Sequence, residues 1–113
     1  MYKQLGLVLI LFFSFQAVRA EQFSYYIDGN VLWSACQSDA PFAYGIIAGI
    51  HDALSEAYSK TGESTLRVCT PDNVTIPMIK KTICEDLEEH ENIRILSAVQ
   101  VVWSSMLVNY PCP

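Results

Sequence analysis

The stretch PFAYGIIAGIHDALSEAYS, residues 41–59, decides the fold class of this chain. Its apolar side chains recur at steps of three and four residues, the spacing of one face of an α-helix. The residues on this face are Phe42, Ile46, Ile50, Ala53, Leu54, Ala57 and Tyr58. Pro41 suits a helix start, because its fixed φ angle is already helical and the first turn leaves an N–H unpaired in any case. The sequence therefore predicts a helix from Pro41 to Ser59.

Small residues stand four positions apart beside this apolar face, at Gly45, Gly49, Ala53 and Ala57. Glycine inside a helix costs about 1 kcal/mol relative to alanine. Two glycines on one face are favourable where another helix approaches closely, because the backbone contact offsets that cost. We expect such an approach, either within the core or in a dimer, and a ligand that contacts the backbone is the alternative.

Three further segments show helical spacing, so the sequence predicts an all-α domain of four helices. The first covers about residues 29–37, with Asn30 as its N-cap. The third begins after Thr75, a capping residue, and has Pro77 in its first turn. Its apolar stripe consists of Ile76, Ile79, Ile83 and Leu87. The last covers about residues 97–110 and ends before a Pro-Cys-Pro terminus.

The first 20 residues have the layout of a secretory signal peptide. A short positive start is followed by residues 5–15, which are mostly Leu, Val, Ile and Phe. The small residues Val18 and Ala20 fit the −3 and −1 positions of a cleavage site. The apolar core is shorter than the roughly 20 residues that a membrane span needs. We expect cleavage after Ala20, a periplasmic or secreted location, and a mature domain of residues 21–113.

The charge of the mature chain limits the kinds of partner it can bind. Cleavage would remove Lys3 and Arg19 but no acidic residue, so the formal charge would change from −5 to −7. Such a charge repels nucleic-acid phosphates, which excludes nucleic-acid binding, and it disfavours anionic membrane surfaces. It favours a basic protein partner, because opposite net charges steer two proteins together.

A dense group of acidic side chains occupies the far end of the third helix. Its members are Glu85, Asp86, Glu88, Glu89 and Glu91. Acids at a helix C-terminus oppose the helix dipole by about 0.3–1 kcal/mol each. One interpretation is a solvated face. The other is a surface kept acidic for a basic partner, in which case the partner-binding residues are Glu85, Glu88, Glu89 and Glu91.

The mature chain has four cysteines, an even number that predicts two disulfides in an oxidising compartment. They are Cys36, Cys69, Cys84 and Cys112. The residues alone leave three pairings open. No pair has the CxxC spacing of a zinc site, and His51 and His90 lie far from the cysteines in sequence. We therefore predict no metal site and no cofactor.

The sequence shows no arrangement that points to catalysis. His51 and Asp52 are adjacent, and helical neighbours point about 100° apart, so we expect no catalytic dyad between them. The acidic residues form an exposed group rather than an isolated pair, so paired-carboxylate hydrolysis is not indicated. We predict that the protein is not an enzyme.

Residues 60–74 form one long connection between helices. Connections of about two to eight residues are usual between packed helices. A longer one in a small domain is typically stapled or functional, and Cys69 lies within it. We therefore expect a disulfide to hold this connection.

The helix Gly45-Ile-Ile-Ala-Gly-Ile-His-Asp-Ala53 resembles the GYIxGxxDA helix of the Rap/Tai family. These are small exported immunity proteins that neutralise peptidoglycan amidase effectors delivered by type VI secretion. Further elements occur in the order of that family. They are Gly29-Asn30-x-Leu32-x-x-x-Cys36, Cys69-Thr-Pro71, Val74-Thr75 opening a helix, Leu87-Glu-Glu-His90 and Tyr110-Pro111-Cys112. The resemblance covers nearly all of residues 27–113.

One position departs from the family pattern. The family commonly has a cysteine just before the GYI helix, where this chain has Ala43, and the chain has Cys84 in the third helix instead. Two segments resemble the cysteine segments of the periplasmic HdeA-type acid-stress chaperones, which form a single disulfide there. They are Trp33-Ser-Ala-Cys36 and Val74-Thr-Ile-Pro-Met-Ile-Lys-Lys-Thr-Ile-Cys84. These resemblances together imply the pairs Cys36–Cys84 and Cys69–Cys112.

The Rap/Tai resemblance implies an immunity protein that binds its cognate peptidoglycan amidase and blocks the cleft sterically, with an acidic helical surface or a loop. Members of the family commonly dimerise, so a homodimer is also expected. One alternative is a periplasmic HdeA-like acid-stress chaperone, although the second disulfide and the lack of lysine-rich ends oppose it. Another is an exported orphan protein that kept the fold and lost the partner, because a fold does not fix a function.

Overall fold

The computed structural model describes residues 25–113. Their four α-helices are α1 (Gly29–Ser38), α2 (Ala40–Thr61), α3 (Ile76–Glu89) and α4 (Ala98–Asn109). Two short 3₁₀ helices, Ser64–Leu66 and Glu91–Ile95, lie in the connections that follow α2 and α3. No β-strand occurs within this described part of the chain, and the prediction of an all-α domain of four helices is confirmed.

The predicted signal peptide, residues 1–20, lies outside the described residues. Among the helices of residues 25–113, none is both long and apolar enough to cross a membrane.

A side-chain cap begins each α-helix, because the first backbone N–H groups of a helix have no partner within it. The caps are Asp28, Asp39, Thr75 and Ser97, each accepting a hydrogen bond from the backbone N–H three residues later. The prediction that Asn30 caps α1 is wrong. Asp28 has extended backbone, with φ −104° and ψ −178°, and it pairs with Ser97 in an isolated antiparallel bridge. The helix itself begins at Gly29, as the sequence predicts, and Asp28 rather than Asn30 precedes its first turn.

The core is built from apolar residues of all four helices. Its most buried large members are Leu32, Ile47, Ile79, Ile83, Leu87, Val102 and Met106. Ile79, Ile83 and Leu87 form the predicted stripe of α3, and burial of each is worth about 1.5–3 kcal/mol. This stripe fixes which side of α3 faces the core and therefore which sides carry its acidic residues.

Two disulfides tie separate parts of the fold together. Cys36 of α1 is bonded to Cys84 of α3, with 5.8 Å between their Cα atoms. Cys69, in the connection after α2, is bonded to Cys112 near the chain end, with a Cα separation of 5.1 Å. Sequence separations of 48 and 43 residues give each bond a loop-closure contribution of about 4 kcal/mol in the chain-entropy model. These are the pairs that the resemblances imply.

The predicted small-residue stripe of α2 consists of Gly45, Gly49, Ala53 and Ala57. Ala57 is half-buried, and the first three residues face open space. All three residues are exposed, and a Cβ atom added at either glycine would meet nothing within 4 Å. The expectation that another helix of the domain packs on this stripe is wrong. The core is served instead by the opposite face of α2, where Ala43 and Ile47 are fully buried.

The connection after α2 begins at Gly62 and is tied to the helices at several points. Gly62 has a φ of 68°, a left-handed conformation that favours glycine, and its N–H donates to the Tyr58 carbonyl at 2.8 Å. The indole N–H of Trp103 in α4 donates to the carbonyl of Thr65 at 2.9 Å. With Cys69 bonded to the chain end, these contacts hold the connection against the bundle.

Candidate partner-binding surface

The acidic side chains at the far end of α3 serve different parts of the surface. Glu85 and Glu88 line a groove between α1 and α3, whereas Asp86 lines a pocket between α3 and α4. Glu89 and Glu91 are exposed, and among the described residues their side chains form no hydrogen bond or ion pair. The four predicted partner-binding residues are thus all exposed, and two of them lie in the groove.

Glu88 belongs to a contact network that sequence reasoning missed. The indole N–H of Trp33 in α1 donates to Oε2 of Glu88 at 2.9 Å. The guanidinium carbon of Arg94 lies 3.7 Å from the centroid of the same indole ring. Glu88 is therefore part of a link between α1 and α3, in addition to being a surface charge.

Arg94 also closes the C-terminal end of α3. Its Nε donates to the Leu87 carbonyl at 2.7 Å and its Nη2 to the Glu88 carbonyl at 3.1 Å. The last carbonyls of a helix lack partners within it and carry the negative end of the helix dipole. A guanidinium at that place satisfies them and offsets the local excess of carboxylates.

Composition offers a weak signal for these two residues. Trp33 is the one aromatic residue of α1, and Arg94 is the one Lys or Arg after Lys81. Nothing local in the sequence brings them together, because they lie on either side of two other helices in chain order.

The groove between α1 and α3 has a volume of about 360 Å³ and carries charges of both signs. Its lining consists of Trp33, Cys36, Gln37, Pro77, Lys80, Lys81, Cys84, Glu85 and Glu88. The Cys36–Cys84 disulfide fixes the two helices that form it. Lys80 also lies 5.1 Å from the centroid of the Tyr44 ring of α2. The groove is therefore held in shape by the disulfide, and it carries charges of both signs rather than only negative ones.

The pocket on the other side of α3, called here the Asp86 pocket, has a volume of about 270 Å³. Its lining consists of Asp86, His90, Ile93, Leu96, Val101, Ser104, Ser105 and Val108. The hydroxyl of Ser105 donates to Oδ2 of Asp86 at 3.2 Å. Apolar side chains provide most of the remaining wall. A single carboxylate thus lies in a largely apolar recess.

His51 makes two side-chain contacts, one with its neighbour Asp52 and one with Thr70. Its Nδ1 lies 3.3 Å from Oδ1 of Asp52, because rotation of both side chains brings together neighbours that diverge at Cβ. Its Nε2 lies 2.9 Å from the hydroxyl of Thr70 in the connection after α2. The Asp52 side chain is 85% exposed, so water competes for its carboxylate. We interpret this row of groups as a tether between α2 and the connection.

The side chains that could hold a metal ion are dispersed or bonded. All four cysteines are in disulfides. Within residues 25–113 no three His, Cys, Asp or Glu side chains are grouped so as to hold a metal ion.

Comparison with known proteins identifies the family of this chain. The family model described as Rap1a immunity proteins matches residues 15–112 of the chain. No curated protein and no solved structure matches the chain.

Proposed function

The chain belongs to the Rap1a immunity protein family, and from that premise we propose that it binds a type VI secretion effector, a peptidoglycan amidase, and covers its active-site cleft. The single observation that carries this proposal is the family match, which spans residues 15–112. The mechanism is steric: the protein occupies the space that the peptidoglycan stem peptide needs, and it performs no reaction of its own.

The proposed site of action is the periplasm or the outside of the cell. There the signal peptide, residues 1–20, has been removed after Ala20, and residues 21–113 form the mature domain. The two disulfides support this location, because disulfides persist in oxidising compartments. Peptidoglycan is the substrate of such an amidase, so immunity has to act where the effector meets it.

The proposed contact surface is the acidic end of α3, with Glu85, Glu88, Glu89 and Glu91 facing the effector. What supports it is their exposure, and the absence of hydrogen bonds and ion pairs from the side chains of Glu89 and Glu91 within the described domain. A mature chain with a formal charge of −7, which follows from the printed composition after loss of Lys3 and Arg19, steers a basic cleft toward it.

The experiment first searches the genes beside this protein's gene for an amidase-type effector and then uses the purified effector. We expect stoichiometric binding and loss of peptidoglycan hydrolysis. Glu89→Lys should slow association several-fold at low salt and less at high salt, because exposed charges act mainly on the on-rate. The free energy of unfolding should change by less than about 1 kcal/mol. Glu88 is left unchanged, because its side chain accepts a hydrogen bond from the indole of Trp33.

Glu56→Lys is the matched control for Glu89→Lys. Glu56 is also an exposed helical glutamate, but it lies on α2, where it pairs with Lys60 at 3.3 Å. Equal slowing by both variants would show that net charge rather than the end of α3 steers binding. Absence of any amidase binding, together with protection of client proteins at about pH 2–3, would favour the acid-stress chaperone instead.

The homodimer is a further part of the proposal and is supported by the resemblance to a family whose members commonly dimerise. Sedimentation velocity of the mature protein tests it, alone and with the amidase. A sedimentation coefficient of a single 21–113 chain at all concentrations would contradict it.

A further inference from the structure

The Asp86 pocket holds a carboxylate for which the described residues provide no cation. Asp86 is half-buried, its Oδ2 accepts a hydrogen bond from Ser105, and no ion pair involves it. Arg94 is engaged by the carbonyls of α3 and by Trp33. Residues 95–113 contain no charged side chain. The chain therefore leaves this negative charge without a positive partner inside the described domain.

The pocket is suited in size to one side chain. Its volume of about 270 Å³ is smaller than the roughly 300–1,000 Å³ of pockets that take drug-sized ligands. The apolar part of its wall consists of Ile93, Leu96, Val101 and Val108. His90 also lines it, but the His90 ring forms no hydrogen bond or ion pair with Asp86.

An aliphatic stem that ends in a cation satisfies both features of the pocket. Lysine and arginine bury their methylene groups on apolar surface while the charged head reaches a polar group. Hydrogen bonds between a cationic donor and a carboxylate are about twice as strong as neutral ones. Glu89, exposed on the neighbouring turn of α3, adds to the negative potential that attracts such a group.

We propose that the Asp86 pocket receives a basic side chain, lysine or arginine, from the effector. The inference rests on the proposed function and adds to it one effector side chain that binds inside a pocket. Interface affinity concentrates in a few anchors that fill pockets, whereas exposed charges at a rim act mainly on association rates. Asp86 therefore governs how long the complex lasts, and the exposed Glu89 governs how fast it forms.

The first experiment needs no effector. It uses n-butylammonium, which has the chain length and the charge of the lysine side chain, with n-butanol as its uncharged counterpart. Each probe is titrated into ¹⁵N-labelled mature protein, and amide shifts are followed at Asp86, Val101, Ser105 and Val108. We expect n-butylammonium to bind about three- to tenfold more tightly than n-butanol at this pocket. Asp86→Asn, which keeps the shape and an acceptor for Ser105, should abolish that difference, and Glu56→Gln, at an exposed position of α2, should leave the difference unchanged. Equal affinities, or no shift at the pocket, would overturn the inference.

The second experiment uses the same variants with the purified amidase effector. Asp86→Asn should raise the dissociation rate about tenfold with little change in association, while thermal unfolding shows that the variant is folded. An amidase that binds Asp86→Asn as tightly as the unchanged protein would overturn the inference and leave the proposed function standing. Pocket binding of n-butylammonium without any amidase binding would contradict the proposed function instead.

Discussion

Glycine has opposite surroundings at the start of α1 and along α2. Gly29 is buried, and its N–H donates to the Leu96 carbonyl at 2.8 Å. A Cβ atom there would lie 2.6 Å from the Cα of Arg94 and 2.7 Å from the carbonyl oxygen of Ile93. Gly45 and Gly49 have nothing within 4 Å of such an atom.

This difference shows what a glycine in a helical domain can mean. At Gly29 the missing side chain lets two backbone segments touch, and that contact positions the 3₁₀ helix Glu91–Ile95 that carries Arg94. At Gly45 and Gly49 the missing side chain gives the described domain no contact in return for the lower helix propensity. The end of α3 is therefore held in place by the backbone packing at Gly29. Nothing in the described domain packs against the outer face of α2 at the two glycines.

The largest effect is expected for Gly29→Ala. The new methyl group would press on backbone atoms, which cannot move aside as a flexible side chain can, so the free energy of unfolding should fall by about 1–3 kcal/mol. Equilibrium urea unfolding with the disulfides intact measures this. Asn30→Ala, an exposed position in the same turn, is the control and should change stability by less than about 0.5 kcal/mol. Equal effects of the two variants would contradict the close approach at Gly29.

A smaller effect is expected for Arg94→Lys. This variant changes the side chain of Arg94 and keeps the backbone contact of this residue with Gly29, so it measures the contribution of the side chain alone. Lysine cannot bond two carbonyls in a fork or stack a plane on Trp33. The loss should be about 1–2 kcal/mol of unfolding free energy. Arg67→Lys is the control, because Arg67 is exposed and its side chain makes no hydrogen bond or ion pair in the described domain. A loss no greater than that of the control would show that the side chain of Arg94 does not help to hold the end of α3 in place.

Local chemistry in the sequence predicts the helices well. Thr75 as a cap, Pro77 in the first turn and the apolar stripe through Ile83 all lie where their residue types place them. Each of these features depends on neighbours within one turn or one helix, so a single sequence carries the information.

The candidate site was less predictable, because it depends on contacts between distant segments. The acidic residues of α3 are evident from composition, but the link from Trp33 to Glu88 and the stacking of Arg94 need the bundle to be assembled. The cap of α1 is a different case, because Asp28 accepts from the Val31 N–H only three residues later and is a preferred cap residue. The spacing of Gly45 and Gly49 is visible in the sequence, but spacing does not reveal whether anything lies opposite.

The smallest effect, of the opposite sign, is expected for Gly45→Ala and Gly49→Ala. Gly62 is the one residue with positive φ in the described chain, so both positions have backbone angles that alanine adopts, and both have room for its methyl group. Alanine lowers the entropy of the unfolded chain and favours the helix, which should raise the free energy of unfolding by about 0.5–1 kcal/mol per site. Gly62→Ala, at φ 68°, should lower stability instead, because its conformation disfavours a side chain.

The double variant Gly45→Ala/Gly49→Ala is measured by urea unfolding and sedimentation velocity at several concentrations. A gain in stability with unchanged sedimentation is expected of a stripe that faces solvent. A loss of stability that grows with protein concentration would show that the glycines contact a second chain, and α2 would then be packed as closely as the start of α1.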